Sequence, residues 1–471
     1  MMNCCVYFLA LTLYAFVSKT LSNNVSSNPS TWDFRRFAAW DFKDILGDSC
    51  IANSKEVTSD EVNCKIESQV SNMTRVTKTE DIVSTLERYL LANTSSGLPE
   101  ESSDDTSEGL HELHLLKNAA DSGAVCLDGS PPGIYLRNGS GVGKSKWIIF
   151  FEGGAWCPDT DTCYQRSSTT LGSSKCFPRF LRLEGLLSNQ ARYNPDFYDW
   201  TSVFVRYCDG ASFTGDRANS VKVKNKQLYF RGRRILDAVL DELVRRGIDR
   251  ASEIILSGRS AGALTAIIHA DYIRTHFQRV TNASLRVLSD AGFFVDAPSL
   301  NGSTIIKSVF RQLYCLHNAS TGLNAACLRA QKRAQKWRCF FPQYSVPFVT
   351  SKIFLVNALY DLWQIAYLSN VPCVFNLKTC NSTELSHIMK FREKTLHGLR
   401  SAVTSNRTGV FADSCFVHTQ TVYDLWTKIR VEHVTMARAF AEWYRGDVLN
   451  RFRIDAPYPS NPSCPKHYHI K

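Results

Sequence analysis

The sequence predicts an α/β protein with a mostly parallel central sheet, helices on both faces and a poorly structured N-terminal extension. Three observations lead there. From about residue 111 onward, short apolar runs alternate with segments of helical periodicity, the pattern of buried parallel strands and their crossovers. One such run, Glu253-Ile-Ile-Leu-Ser257, stops at Gly258-Arg-Ser-Ala-Gly262 and is followed by a helical pattern from Leu264 to Ile273. Residues 21–110 show neither pattern.

In chain order, residues 1–20 read as a signal peptide. The stretch Met1 to Val17 is apolar and is followed by Ser18-Lys19-Thr20, although its first residues include no Lys or Arg. Residues 21–110 form a polar extension. Within it, Asn93 to Glu108 carries five acids and no base, which predicts a solvated segment, and Cys50 and Cys64 are spaced to close a local loop. Residues 111–471 are expected to form the α/β domain. Val125 to Leu136 alternates strand and turn residues, and Asn138 to Ser145 reads as a hairpin turn bearing a glycosylation sequon. That stretch imitates a phosphate-binding loop, but Asn138 stands where the first glycine belongs.

Lys146 to Glu152 and Thr201 to Tyr207 have strand composition, and Leu228 to Val244 has the spacing of an amphipathic helix that Gly247 ends. The glycine-flanked serine and its helix come next, then strands at Leu285 to Gly292 and Lys352 to Asp361. Ser414 to Gln420 reads as a strand pinned by a disulfide at Cys415, and His433 falls in a helical pattern. No later run is long and apolar enough to span a bilayer.

Composition narrows the setting. The 16 cysteines fall to fourteen when Cys4 and Cys5 leave with the signal, an even number that suits an oxidising compartment. Nine sequons, from Asn24 to Asn406, point the same way. The net charge of +11 favours anionic partners. The basic clusters at Arg231–Arg234 and Lys332–Arg338 have helical spacing and read as solvated faces, so no nucleic acid is expected. His111-Glu-Leu-His114 lacks the spacing of a zinc-binding helix, and no paired Cys-x-x-Cys occurs, so no metal or cofactor is expected.

The chemistry centres on Ser260. A serine between small residues on a strand-to-helix turn is lifted above the sheet, where its hydroxyl becomes a nucleophile once a base removes its proton. The order expected in such a sheet is Ser, then an acid, then His. Asp361, past a strand end, is the first candidate acid, with Asp290 and Asp413 as rivals. The histidines after Asp361 are at 387, 397, 418, 433, 467 and 469, of which His418 beside Cys415 has the most constrained setting. A glycine-rich turn after an early strand, Gly153-Gly154-Ala155-Trp156, together with Ala261, is placed to offer N–H donors to a tetrahedral oxyanion.

These residues carry a resemblance. Gly153-Gly-Ala-Trp-Cys157, Arg206 to Gly215, Gly258-Arg-Ser-Ala-Gly262, Ser289-Asp-Ala-Gly-Phe-Phe294, Cys339-Phe-Phe-Pro-Gln343, Asn357 to Gln364 and Cys415-Phe-Val-His418 are similar to the pectin acetylesterase family. That family includes the Notum-type protein deacylases as a related branch. The similarity runs from about Leu113 to Cys464 and excludes the extension. It implies an α/β-hydrolase fold, a triad of Ser260, Asp361 and His418, and oxyanion donors at Gly154, Ala155 and Ala261. Trp156, Asp290 and Phe293, inside the same motifs, are expected to contact substrate.

The function the resemblance implies is secreted hydrolysis of O-acetyl esters on pectin or a similar acidic polysaccharide. The alternatives are removal of a fatty acyl group from a protein, or glycan binding at an inert site. Arg259, Ala263 and Thr419 depart from the plant pattern, which has Cys, Gly and Cys there. This implies a different disulfide set and a reshaped entrance.

Overall fold

The computed structural model describes residues 109–466, apart from 404, 405, 448 and 450. The expected signal segment, and the extension up to residue 108, lie outside the described residues.

Fourteen strands are present among the described residues: β1 Leu110–Leu115, β2 Gly133–Arg137, β3 Lys146–Phe151, β4 Phe180–Arg182, β5 Thr201–Val205, β6 Val221–Val223, β7 Lys226–Leu228, β8 Glu253–Arg259, β9 Ser284–Asp290, β10 Lys352–Val356, β11 Thr408–Ala412, β12 Arg430–Val431, β13 Val434–Thr435 and β14 Phe452–Ile454. Ten of them form one sheet in the order β14-β11-β10-β9-β8-β3-β5-β2-β1-β4. Pairing is parallel from β14 through to β5 and antiparallel from β5 to β4, so the sheet is mostly parallel with one antiparallel flank. The α-helices of seven residues or more are α1 Thr160–Arg166, α2 Gly232–Arg245, α3 Ala261–Phe277, α4 Ile305–Leu316, α5 Ser382–Ala402 and α6 Met436–Tyr444.

Strand alternation divides the core in two. Ile149 and Phe151 of β3, with Ile254 and Leu256 of β8, join Val239 and Leu243 of α2 and Leu264 and Ile267 of α3 on one face. Ile148 and Phe150, with Ile255, join Phe440 and Trp443 of α6 on the other. Strands buried on both faces carry no polar alternation, which is why their runs are continuously apolar in sequence.

Several local expectations change. Asn138–Ser145 is not a hairpin turn, because β5 lies between β2 and β3 in the sheet. The helix expected from Leu228 starts at Gly232; Lys226–Leu228 is taken by a small antiparallel pair with Val221–Val223. The strand expected to reach Asp361 ends at Val356. Beyond it, the Asn357 and Leu359 N–H groups still donate to the Phe411 and Asp413 carbonyls, so the extended composition persists past the regular ladder. Ser414–Gln420 is an irregular loop after β11, pinned as expected at Cys415 by a disulfide to Cys464. His433 lies in the tight turn between β12 and β13 with φ 65°, not in a helix.

The other disulfides among the described residues are Cys126–Cys208, Cys157–Cys163, Cys327–Cys339 and Cys373–Cys380. No helix among the described residues is long and apolar enough to cross a membrane.

Candidate active site

Ser260 sits between the last residue of β8 and the first of α3 with φ 53° and ψ −125°, a conformation that side-chain-bearing residues seldom adopt. Its backbone is held on both sides. The Ser260 N–H donates to the Asp290 carbonyl at 2.8 Å, and its own carbonyl accepts from the Leu264 N–H at 3.0 Å. Gly262 allows the turn, since a Cβ there would lie 2.2 Å from the Phe151 carbonyl oxygen. Local sequence thus presses the start of α3 against the end of β3 and turns Ser260 out of both.

His418 Nε2 lies 2.9 Å from Ser260 Oγ, and His418 Nδ1 lies 2.9 Å from each oxygen of Asp361. An ionised carboxylate can only accept, so Nδ1 carries the proton and Nε2 is left to accept from the serine hydroxyl. Asp361 is fully buried and is itself fixed by Gln364, whose backbone N–H and side-chain Nε2 donate to it at 2.9 and 3.1 Å. Gln364 Oε1 also accepts from the Val295 N–H at 3.0 Å. Gln364 closes the Asn357 to Gln364 motif, and its spacing three residues after Asp361 is the sign in the sequence of this positioning role.

The glycine-rich turn after β3 lies against this serine. A Cβ on Gly153 would come 2.6 Å from the Arg259 carbonyl oxygen and 3.0 Å from Ser260 Cβ. Gly154 and Ala155 follow with φ 144° and 50°. Their carbonyls accept from Arg166 Nη1 at 2.7 Å and the Tyr207 hydroxyl at 2.8 Å. No intramolecular hydrogen bond among the described residues uses their N–H groups. Ala261 is the first residue of α3, so its N–H has no acceptor within the helix and sits at the positive end of the helix dipole.

The Arg206 to Gly215 motif braces this turn. The Tyr207 hydroxyl accepts from the Ser212 N–H at 3.1 Å, and Ser212 Oγ donates to the Ala261 carbonyl at 2.9 Å while accepting from Trp156 Nε1 at 2.8 Å.

The rival acids occupy other posts. Asp290 was expected to contact substrate, but its side chain has no exposed surface. Its Oδ2 accepts from the N–H groups of Gln420 and Thr421 at 2.8 and 2.7 Å, and from the Thr421 hydroxyl at 2.8 Å. It therefore anchors the loop that carries His418, and burial raises its carboxyl pKa. Phe293 is also fully buried, with its N–H donating to Asn357 Oδ1, so it supports the site from the core. Trp156 is nearly buried and packs edge-on against Phe294 and Phe310 with ring centroids 4.7 and 5.2 Å away. Trp363 stacks on the His418 ring at 5.6 Å.

Asp413, the third acid, is fully buried five residues before His418. Its Oδ2 accepts from Gln420 Nε2 at 2.9 Å and its Oδ1 from the Cys415 N–H at 3.0 Å. Burial first, and the neighbouring Asp455 carboxylate second, push its pKa up to about 7. An acid whose pKa is raised on folding stabilises the native state fully below its unfolded pKa of about 4, and loses that contribution as pH rises to about 7. Thermal melts at pH 5 and pH 8 should therefore differ less in Asp413→Asn than in the parent chain. An unchanged difference would contradict the assignment. The neutral amide has a ready partner in Gln420 Oε1, which has no hydrogen bond in the structure.

Of the three departures from the plant pattern, Arg259 runs over Gly153 and donates from Nη1 to the Tyr423 hydroxyl at 3.1 Å. Ala263 is buried against Gly292, where an added Cβ would stand 2.7 Å from the alanine methyl. Thr419 is half-buried beside His418. None of the disulfides above includes these positions. Among the described residues, two groups have metal-ligand spacing: Cys157, Cys163 and His317, and Cys373, Cys380 and Glu384. In both, the two sulfurs are bonded to each other and offer no thiolate pair.

Comparison with known proteins gives the family and the fold. The pectinacetylesterase family model matches residues 105–465. Pectin acetylesterase 7 of Arabidopsis thaliana is 37% identical over 372 residues, covering 76% of this chain and 93% of that protein. Pectin acetylesterase 5 of the same plant is 35% identical over 369 residues, covering 75% and 85%. Among solved structures, the Wnt deacylase Notum from Drosophila matches with a TM-score of 0.68 at 25% identity, covering 75% of this chain and 99% of that one.

Proposed function

Because the chain belongs to the pectinacetylesterase family, we propose that it is a secreted serine carboxylic-ester hydrolase that removes O-acetyl groups from pectin or a similar acidic polysaccharide. The observation that carries the reaction is the line from Asp361 through His418 to Ser260, each link 2.9 Å long. His418 takes the serine proton as Oγ attacks the ester carbonyl. Asp361 keeps the imidazole in the tautomer that can accept, and stabilises the imidazolium that forms. The oxyanion rests on the N–H groups of Gly154, Ala155 and Ala261. His418 then gives the proton to the departing sugar oxygen, which leaves as a hydroxyl, and water releases acetate by the same steps in reverse.

The family membership favours an acetyl ester, and the charge favours an anionic carrier. Beside the triad, Trp156, Phe294 and Phe310 are in ring-to-ring contact, and Phe310 also meets Phe341 at 4.7 Å, so the ester lies against an aromatic wall whose reach the length of the preferred acyl group reports. The net charge of +11 suits a polyuronate. Export through a signal at residues 1–20 is supported by the disulfides. N-terminal sequencing of the secreted chain should begin near residue 21.

The test is a comparison of acetylated pectin, a soluble acetate ester and a long-chain acyl ester as substrates for the purified chain. Acetate release and a preference for the short ester are expected. A chain that reacts with a serine-directed fluorophosphonate yet frees no acetate would contradict the substrate. Faster turnover of the long ester would instead favour the deacylation named for the Notum relative.

A further inference from the structure

An aromatic path leads away from His418 toward solvent. Trp363 stacks on the imidazole with the ring planes 25° apart, Tyr367 follows at 5.7 Å from Trp363, and Phe375 at 6.5 Å from Tyr367. Tyr367 is 42% exposed and Phe375 38%, whereas most large aromatic side chains among the described residues are covered. Two devices hold the rings in place. Residues Gln364–Leu368 form a π-helical turn, closed by the Ser369 N–H on the Gln364 carbonyl at 2.8 Å. Such widened turns recur at functional sites and here set Trp363 and Tyr367 side by side. Phe375 lies inside the short loop closed by Cys373–Cys380.

We propose that Tyr367 and Phe375 are a stacking platform for the sugar backbone of the polysaccharide, next to the residue whose acetyl group lies at Ser260. This rests on the reading of the preceding section and names how that substrate is held. Sugar rings have an apolar C–H face and a polar rim. A row of exposed aromatic faces satisfies the first and leaves the second in water, as amphipathic contact surfaces do. An acyl chain would instead require enclosure, which an exposed path does not provide. The path is continuous with the reacting groups through Trp363, so a polymer lying on it places a neighbouring residue at the triad. The chain's positive charge attracts the uronate carboxylates without fixing their register.

The experiment uses the Tyr367→Ala/Phe375→Ala double variant of the full chain, with Tyr367→Phe and Phe375→Tyr as controls that keep the rings. On acetylated pectin, KM is expected to rise about tenfold with little change in kcat, the ring-retaining variants staying near the parent value. The loss of kcat/KM on a soluble acetate ester should be far smaller. Calorimetric binding of an unacetylated oligogalacturonide should weaken by a similar factor. An unchanged KM for pectin in a parent chain that releases acetate overturns the platform and leaves the esterase reading standing. Equal losses on polymer and soluble ester also overturn it, because they mark a structural role. A loss confined to long-chain esters overturns it in favour of an acyl contact. A parent chain that frees no acetate but binds the oligogalacturonide through Tyr367 and Phe375 retains the platform while the substrate reading fails.

Discussion

Replacing Ser260 by alanine is expected to lower kcat on any ester by about 10⁶-fold while leaving the fold intact. The substitution removes one oxygen from a residue that is 8% exposed and leaves the backbone bonds to Asp290 and Leu264 in place. The turn remains strained, since alanine meets the same φ of 53°. His418→Ala should cost about as much, because a hydroxyl without its base is a weak nucleophile near neutral pH. Combining the two should add little, as expected of residues that act as one unit. Initial rates on a soluble acetate ester, with circular dichroism as the folding control, read this directly. Full additivity would mean that Ser260 and His418 act separately.

Asp361→Asn is expected to reduce kcat by about 10⁴-fold with little effect on KM. The change keeps shape and burial but presents an N–H₂ group toward His418 Nδ1, now 2.9 Å from both carboxylate oxygens. If the amide donates, Nδ1 must accept, the ring proton moves to Nε2, and the imidazole can no longer take the serine proton. Gln364 does not compensate, because its own N–H and Nε2 already donate to the same carboxylate. Asp290→Asn should be milder and of another kind. That carboxylate holds Gln420 and Thr421, not the ring, so the variant should loosen the loop and lower thermal stability along with activity. A larger kcat loss in Asp290→Asn than in Asp361→Asn would reverse the two assignments.

The strand-to-helix turn at Ser260 was legible because its requirements are local. Glycines at 258 and 262, an apolar run before and a helical pattern after leave few other conformations for Ser260. The parallel sheet was legible for a related reason, since strands buried on both faces announce themselves as unbroken apolar runs. The choice among Asp290, Asp361 and Asp413 was not local. All three are fully buried at or beyond the ends of sheet strands, and only the path of the 415–421 loop decides which one faces His418 Nδ1. The residues alone left the choice open, and the family resemblance pointed to Asp361.

The same limit explains the other differences. Asp290 and Phe293 sit in a motif rich in functional residues, yet both serve it from the interior, and sequence spacing does not distinguish a wall from its support. His433 lies among residues of helical spacing, but β12 and β13 pair across it and force a tight turn. Tyr367 and Phe375 drew no attention in the sequence, because an aromatic residue shows its function only once its exposure is known.

Mass spectrometry of the purified chain after treatment with a small fluorophosphonate tests the central claim most directly. One covalent adduct is expected, on the peptide containing Ser260, formed in step with loss of esterase activity and absent in His418→Ala over the same interval. An active enzyme that acquires no adduct at Ser260, or is labelled equally fast without His418, would contradict it.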